Sequence, residues 1–442
     1  GSTLEVEVND QGQSDLVVAG SATIEGGTVH VLAENRTDNG KTFGPITDYT
    51  ILSAYGGISG TFDGLTDDFA FLDGTLTYTD SLVQLTLARN DAEFASVGQT
   101  PNQIATAGGI DSLNRGDLVD TIIRLDAVAA RTGFDALSGE MHATAKSGLL
   151  ADSHFVRDAA NDRMRGDLHT GLGIWSQGFG GWTNRDSDGN AAAMTQHAAG
   201  VVIGADQMAG DWRLGLLASY GQSAFAVDER SSSGTADSYT MGAYGSRSWG
   251  DLNVRGGLTY GWHDISTDRS VQMGGFSDSL SADYAVSSLQ AFGELGYSID
   301  TDLATLEPFV GLANVSLLSH GYSETGSAAA LHGGSEVSNV TYATLGLRAE
   351  RDITLGGVKG KVHGMVGWQH GFGDITPTSS HAFVGGDNFT IAGAPLDRDS
   401  VVIEAGVDLN LNASTTLGLN YSGQLGHAGI QHAIMASLRV NF

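Results

Sequence analysis

The chain contains no cysteine. That suits a cytosolic enzyme, but it is also what a polypeptide needs if it crosses an oxidising compartment unfolded, where a disulfide would jam a threading chain. Basic residues are scarce: 22 Lys and Arg stand against 51 Asp and Glu, a net charge of −29. Nucleic acid is thereby excluded as a partner, because phosphate contacts need clustered cations. No apolar run approaches the roughly 18 residues of a spanning helix, so any membrane contact must come from strands or an interfacial surface. Prolines number only five, and no three-residue period exists, which excludes collagen. No signal peptide opens the chain, and Gly1-Ser2 reads as an artificial start, so a fragment without its natural N-terminus is expected.

Glycine is abundant instead, with 63 residues, about twice the usual share of roughly 7 %. Many short strands and tight turns explain this, as does one large sheet that uses glycine where side chains crowd. Residues 1–91 read as short strands, "SDLVVAGSATIEGGTVHVLAEN", "YTILSAYGGISGTF" and "GTLTYTDSLVQLTLARN". Gly26-Gly27 and Gly56-Gly57 mark turns spaced by about twenty to thirty residues, which suits coarse rungs of a parallel β-helix. From residue 92 to 165 helix formers replace the strand pattern. A helix is expected to start at Ser138 as N-cap, with Glu140 in its first turn, and to run to Arg163 and Arg165, about 40 Å in all. Its one large apolar cluster is Leu149, Leu150, Phe155 and Val156, amid small and charged residues such as Ala145, Lys146, Arg157 and Asp158. It reads either as a surface helix with one short stripe or as a slim helix inside a polar tube.

From residue 166 to the end, alternation is strict. In "DLNVRGGLTYGWH" Leu252, Val254, Leu258, Tyr260 and Trp262 share one face, and Arg255, Thr259 and His263 the other. In "SVVIEAGVDLNL" Val401, Ile403, Ala405 and Val407 oppose Val402, Glu404 and Asp408. Twelve such runs begin near Gly173, Gln196, Asp211, Asp237, Asp251, Tyr284, Ala304, Val337, Gly357, Asp397, Ser414 and Gly429. Short links such as "MAGDW" and "SWGDL" alternate with long polar ones such as "AFAVDERSSSGTADS" and "LSHGYSETGSAAALHGGSEV". An even strand number, short turns on one rim and long loops on the other predict an outer-membrane barrel. A sandwich would also alternate, but its outward face would be charged, whereas here one face is apolar strand after strand. Trp212, Trp249, Trp262, Trp368 and Tyr421 fit aromatic girdles. Twelve strands leave room for one helix about 10 Å across, so residues 138–165 should thread the lumen. The expected lumen wall comprises Arg213, Arg255, Glu294, Glu307, Arg348, Glu350, Glu404, Asp408 and Arg439. These are poised to pair with pore-helix residues among Lys146, Arg157, Asp158, Asp162 and Arg163; Leu149 and Phe155 are its apolar contacts.

These residues resemble the autotransporters, the monomeric type V secretion proteins of Gram-negative bacteria. "GGTVHV", "YTILSAYGGISGTF" and "LTLARN" look like the last β-helix rungs and autochaperone region of a secreted passenger. "DALSGEMHATAKSGLLADSHFVRDAANDRMR" is similar to the pore helix, and "IWSQGFGGW" to the first barrel strand. The ending "ASLRVNF" resembles the terminal signal read by the barrel-assembly machinery, with Leu438, Val440 and Phe442 on one face. The resemblance implies an all-β chain with a helical insert. A 12-stranded antiparallel transmembrane β-barrel (166–442) would hold an α-helix from segment 92–165 in its lumen, preceded by the last rungs of a parallel β-helix (1–91). It implies export and surface display of its own N-terminal passenger without nucleotide hydrolysis, the barrel lying in the outer membrane and the N-terminal segment at the cell surface. Implied partners are outer-membrane lipid and lipopolysaccharide, the assembly machinery, periplasmic chaperones and the upstream passenger, with a monomeric barrel and no cofactor or metal. An acidic β-helical passenger acting in adhesion is the default expectation.

Other chemistry is weaker. Some family members cut themselves in the lumen by attack of an Asn side chain on its own carbonyl, which would map to Asn161-Asp162 with Glu404 or Asp408 as the polarising carboxylate; a plain helix asparagine is the simpler reading. Asp186, Asp188 and Asn190 echo a calcium loop, but Ala191 and His197 stand where Gly and Glu are required. No G-x-x-x-x-G-K-[ST] or G-x-S-x-G occurs. Two alternatives stay open: a barrel protease or lipase using His263, Asp264, His320 or His381 at the mouth, and a solute pore.

Overall fold

The computed structural model describes residues 1–34, 46–113, 115–166 and 171–442. Among the described residues nine strands open the chain: β1 (Thr3–Val8), β2 (Val17–Ala19), β3 (Ala22–Glu25), β4 (Thr28–Ala33), β5 (Ile46–Ala54), β6 (Ile58–Thr61), β7 (Gly64–Asp67), β8 (Leu72–Tyr78) and β9 (Leu82–Arg89). The first seven stack in parallel as β1-β4-β7, β2-β5 and β3-β6, the three faces of a β-helix. Thr3 lies opposite Thr28, and the next turn repeats after 36 residues, as in the Gly27–Asp63 and Thr23–Ser59 hydrogen bonds. That second interval exceeds the spacing expected from the glycine pairs, and residues 35–45 within it lie outside the described part. Gly60 takes a φ of 85°, and a Cβ there would collide with the Ile24 carbonyl of the rung before it. The parallel stack ends when β9 pairs antiparallel with both β5 and β8, a hairpin that covers the open edge of β5. Val6, Val29, Val31, Ile51 and Leu85 fill the interior.

Helices follow: α1 (Pro101–Asp111), α2 (Asp117–Ile122), α3 (Ala127–Leu137), α4 (Glu140–Asp152) and α5 (His154–Arg165). Thr100 and Gln103 form a reciprocal cap on α1 with Pro101 at its first position, and Asp126 caps α3 through the amides of Val128 and Ala129. The expected single helix from Ser138 is two. Ser138 ends α3, and Gly139, at φ 66°, turns the chain into the lumen as the N-cap of α4. Ser153 interrupts the axis while its hydroxyl donates to the Leu150 carbonyl.

The remaining strands are β10 (Gly173–Arg185), β11 (Met194–Ala209), β12 (Trp212–Val227), β13 (Ser232–Trp249), β14 (Leu252–Met273), β15 (Phe276–Tyr297), the two-residue β16 (Ile299–Asp300), β17 (Thr305–Ser319), β18 (Tyr322–Ser323), β19 (Leu331–Gly333), β20 (Glu336–Leu355), β21 (Val358–Gly373), β22 (Thr378–Phe383), β23 (Phe389–Ala392), β24 (Asp399–Asn410), β25 (Thr415–Gly426) and β26 (Gly429–Asn441). Twelve long antiparallel strands close into a barrel, β10 pairing with β11 on one side and β26 on the other. Two start earlier than expected. "AFAVDERSSSGTADS" is not a long loop but the ends of β12 and β13 joined by a short 3-10 turn, and β14 and β15 run on to a tight hairpin. The second long loop carries β18 and β19, which join β22 and β23 in a small sheet above the long-loop rim.

Outward positions are leucine-rich on strand after strand, with Leu216 69 % and Leu345 60 % exposed, a surface that water would not tolerate and lipid hydrocarbon would. Trp212 and Trp249 meet edge to face at the short-turn rim, and Tyr220, Tyr239, Tyr260 and Trp262 form the opposite belt. Among the described residues no helix is long and apolar enough to cross a membrane.

Inside, large rings lie flat over glycines directly opposite them on the next strand. Trp175 covers Gly204, Phe179 covers Gly200, and Phe292 covers Gly257. Tyr244 over Gly215, Phe225 over Gly234 and Phe309 over Gly346 repeat the arrangement. A methyl group on any of these glycines would overlap the ring, so much of the glycine surplus makes room for aromatics. Replacing Gly204 or Gly257 with Val should cost about 1–3 kcal/mol by overpacking. A lower urea midpoint in detergent, and a smaller heat-modifiable folded fraction in gel mobility, would register it, whereas Gly210→Val, at an open turn with no neighbouring atom, tests strain alone.

Candidate functional site: the occupied lumen

Both α4 and α5 lie within the barrel. The residues of α4 from Glu140 to Ala151 are all buried, which explains its small, non-amphipathic sequence: every face meets protein. Met141, Ala145, Leu149 and Leu150 sit in an apolar collar with Phe225, Ile265, Val315 and Leu396 from strands and loops beside the helix, interrupted by polar pairs such as Asp152 with Gln196 and Ser223. Lys146 donates to Glu336 at 2.5 Å and to the Thr378 carbonyl at 2.7 Å.

The α5 helix is asymmetric. Its Ala159, Ala160 and Met164 pack against Trp175, Val202, Leu217, Tyr244 and Phe292, and Phe155 stacks on Phe179 at 4.5 Å. Its other face carries His154, Arg157, Asp158, Asn161 and Arg165 and looks into a cavity. Near its end Arg163 makes a two-pronged contact with Asp206 at 2.6 and 2.8 Å. The Tyr244 hydroxyl also donates to Asp206 at 2.7 Å, and Arg213 donates to the Arg163 carbonyl at 2.6 Å and the Gly166 carbonyl at 3.1 Å. The last orphan carbonyls of α5 thus meet a buried cation.

On the wall, Arg255 and Arg348 interleave with Glu294 and Glu307, with contacts from 2.5 to 3.0 Å. Arg165 reaches Glu294 at 4.0 Å and Glu404 at 3.9 Å and pairs closely with Asp162. Asp408 pairs with Arg439 at 3.2 Å, and Glu350 with Lys361 at 3.3 Å in a more exposed position. Of the expected helix-to-wall pairs, Arg163 and Lys146 do cross, but to Asp206 and Glu336, which the sequence reading did not select. Arg157 and Asp158 instead contact each other, and Asp158 also contacts His154. Asp206 had a signal: it stands on the inward parity of its strand, in line with Gln196 and Val202.

The mouth carries a folded cap. Phe134, Leu137, Ile110 and Leu118 of the helices share one core with Leu331, Phe383 and Phe389 of the loop strands, and Phe71 joins it from the β-helix. The Asn102 carboxamide donates to the Ala392 carbonyl and accepts from its amide, at 2.8 and 2.9 Å. Arg269 clamps Glu324 with two 2.7 Å bonds and donates to the Ala136 carbonyl at 3.0 Å. Burial alone would raise Glu324, but Arg269 and a hydrogen bond from His142 hold its carboxyl well below the usual range.

The residues considered for catalysis are not brought together. His263 faces inward between Ser238 and Ser288, at 2.8 and 2.9 Å, whereas Asp264 faces out. His320 is exposed, and His381 is buried in the cap. Asp188 accepts from the amides of Asn190 and Ala191, making "DSDGN" a polar turn, and Asn190 then accepts from the Asn102 amide of α1. Asn161 and Glu404 line one cavity, while Asp162 is held by Arg165 and Asp408 by Arg439. Leu438 and Val440 lie on the outward face of β26, and the Phe442 amide donates to the Leu172 carbonyl at 3.0 Å.

Two predictions arise from these buried groups. Arg163→Ala leaves Asp206 with only the Tyr244 hydroxyl and the more distant Arg213 and should cost up to about 3–5 kcal/mol, while the Arg163→Ala/Asp206→Ala double variant should cost less than the sum of the singles; urea unfolding of all three checks it. In the cap, His381 donates from Nε2 to the Ser138 carbonyl at 2.8 Å and meets the Tyr322 hydroxyl through Nδ1 at 2.9 Å. Burial, with His142 and Arg269 nearby, pushes it down to about 3, against the opposing pull of Glu324 and the Ser138 bond. The docked form is neutral, so its stability is full above the ordinary 6.5 and declines as pH falls from there toward 3, where the undocked form binds the extra proton. Hydrogen exchange of residues 378–383 should speed up relative to the barrel strands between pH 7 and pH 4, and His381→Gln should flatten that trend.

Residues 174–422 match the family model described as the autotransporter β-domain. Two curated proteins, both named extracellular serine protease and both from Serratia marcescens, align with the whole of this chain at 30 % and 29 % identity. The alignments cover 48 % of each, so the chain spans about half the length of the curated relatives it matches. Among solved structures, the translocator domain of autotransporter NalP from Neisseria meningitidis superposes with a TM-score of 0.55 at 18 % identity, covering 68 % of this chain and 99 % of that one. The β domain of the Bordetella autotransporter Brka covers 62 % and 100 %, at 21 % identity and a TM-score of 0.49.

Proposed function

The chain belongs to the autotransporter family and its barrel is an outer-membrane translocator; from that premise we propose that residues 1–91 are the end of its own passenger, which this barrel exports and then displays. The observation that carries this is the β-helix itself. Its rungs stack in parallel and stop at the β8–β9 hairpin, and Phe71 meets Phe94 edge to face at 4.8 Å, seating the stack on the cap over the long-loop rim. Long loops mark the extracellular side of such barrels, so the stack stands outside the cell. A rung that folds there offers its upper edge as a template for the rung above, and each added rung opposes return of the chain through the pore. No nucleotide is needed for this step.

The same reading supplies the partners: outer-membrane lipid and lipopolysaccharide at the apolar band, periplasmic chaperones before insertion, and the barrel-assembly machinery at Leu438, Val440 and Phe442. The names of the Serratia relatives support a serine-protease passenger over the adhesin of the default expectation. The barrel acts here without catalysis. Asn161 and Asp162 lie inside α5, whose hydrogen-bonded turns hold their shared peptide helical, so self-cleavage would first require that turn to open. The test is deletion of residues 1–91 from the passenger-bearing protein: surface display and protease resistance of the passenger should fall several-fold while barrel insertion persists. Unchanged passenger folding would refute the role.

A further inference from the structure

The lumen is not filled evenly. A cavity of about 250 Å³ opens at the short-turn rim, beside exposed Asn410, and is lined by Arg163, Arg165 and Arg439 with Glu307, Glu404 and Asp408. It shares Arg165, Arg348, Met365 and Glu404 with a second cavity of about 80 Å³, which climbs along the polar face of α5 to His154. That one shares His154, Arg157, Gln369 and Gln424 with a third, of only about 20 Å³, which ends against Leu150 and Leu396. The three form one polar crevice between α5 and the wall of β20, β21, β24 and β25. His154 Nε2, Arg157 Nη1 and Asn161 Oδ1 find no hydrogen-bond partner among the described residues, and all three side chains line it. Space for one water is about 10–15 Å³, and buried polar atoms of this kind need such partners, so the crevice is wet.

It narrows where the apolar collar of α4 begins, and the cap covers the collar from outside. A charged lining stabilises a permeating ion, whereas the apolar collar of α4, whose polar neighbours Lys146, Ser147 and Asp152 already hold hydrogen-bond partners, offers nothing in exchange for the ion's hydration. We propose that the permeability seal of the finished barrel is the collar around α4 together with the cap, and that the ion-pair network around α5 positions the helix without closing the pore. The crevice is then a blind channel open to the periplasm alone. This inference needs only the membrane-spanning barrel and is independent of the passenger assignment.

The whole chain, reconstituted in planar bilayers, tests it. Wild type should show no steady conductance. Leu150→Ser/Leu396→Ser, which wets the collar, should raise conductance at least several-fold, and Arg165→Ala/Glu404→Gln, which loosens the lower network, should leave it at the wild-type level. A conducting network variant beside a silent collar variant would overturn the proposal. Heat-modifiable gel mobility checks that each variant has folded. A second measurement does not depend on the collar variant: the chain has no cysteine, so Ser422→Cys in the crevice gives a single reporter for a membrane-impermeant thiol reagent. Labelling should occur from the short-turn side and not from the long-loop side. Equal labelling from both sides, or from the long-loop side only, would overturn the seal as placed here.

Discussion

A peptide N–H or C=O facing hydrocarbon has no water to bond, so a sheet at membrane depth must close on itself. In this chain closure rests on the ladder between β10 and β26, where Gly173 through Arg185 pair in register with Asn441 through Gly429. Once that ladder exists, the alternation of side chains divides the protein into a lipid-facing surface and an enclosed one, and the inner surface must satisfy its own charges. The network of Arg255, Arg348, Glu294 and Glu307, and the Arg163–Asp206 clasp, are answers to that demand. The helix is held because it completes the pairing, and its C-terminal carbonyls in turn occupy Arg213.

The barrel also has to fit its own contents. Side chains on the concave face of a twelve-strand cylinder crowd one another, and the ring-over-glycine pairs relieve this by giving each aromatic the width of two positions. Apolar rings such as Trp175 and Phe292 then form the smooth wall on which Ala159, Ala160 and Met164 lie, and the opposite wall is left polar. The unequal packing of the two faces of α5 is therefore a consequence of where the rings sit.

How much of this the sequence reveals depends on whether the deciding contact is local. Period-two alternation marked the strands because lipid imposes it residue by residue, and the inward parity of Arg255 or Glu404 followed from it. Beyond the bilayer that pressure ends: the outer parts of β13 and β15 each pair with β14 through polar residues such as Ser233 and Asp283, and nothing in their pattern separates them from loop. Parity names a face but not a partner, which is why Lys146 could be placed in the lumen while Glu336, 190 residues away, could not be matched to it. The cap was legible only as helix formers, since its core is assembled with Leu331, Phe383 and Phe389 from distant loops. Resemblance to the autotransporters supplied the expected roles of the terminal strand and of residues 1–91, neither of which alternation alone can assign.

One joint bears on life outside the cell. The β-helix leans on the cap through Phe71, Phe94 and the Ala70–Leu125 backbone bond, and the cap grips the loop strands through Asn102 and Arg269. Drag from flowing fluid on the stack would be taken up by this footing above the bilayer. The tether inside the membrane would be shielded from the tug, much as a mast step spares the keel.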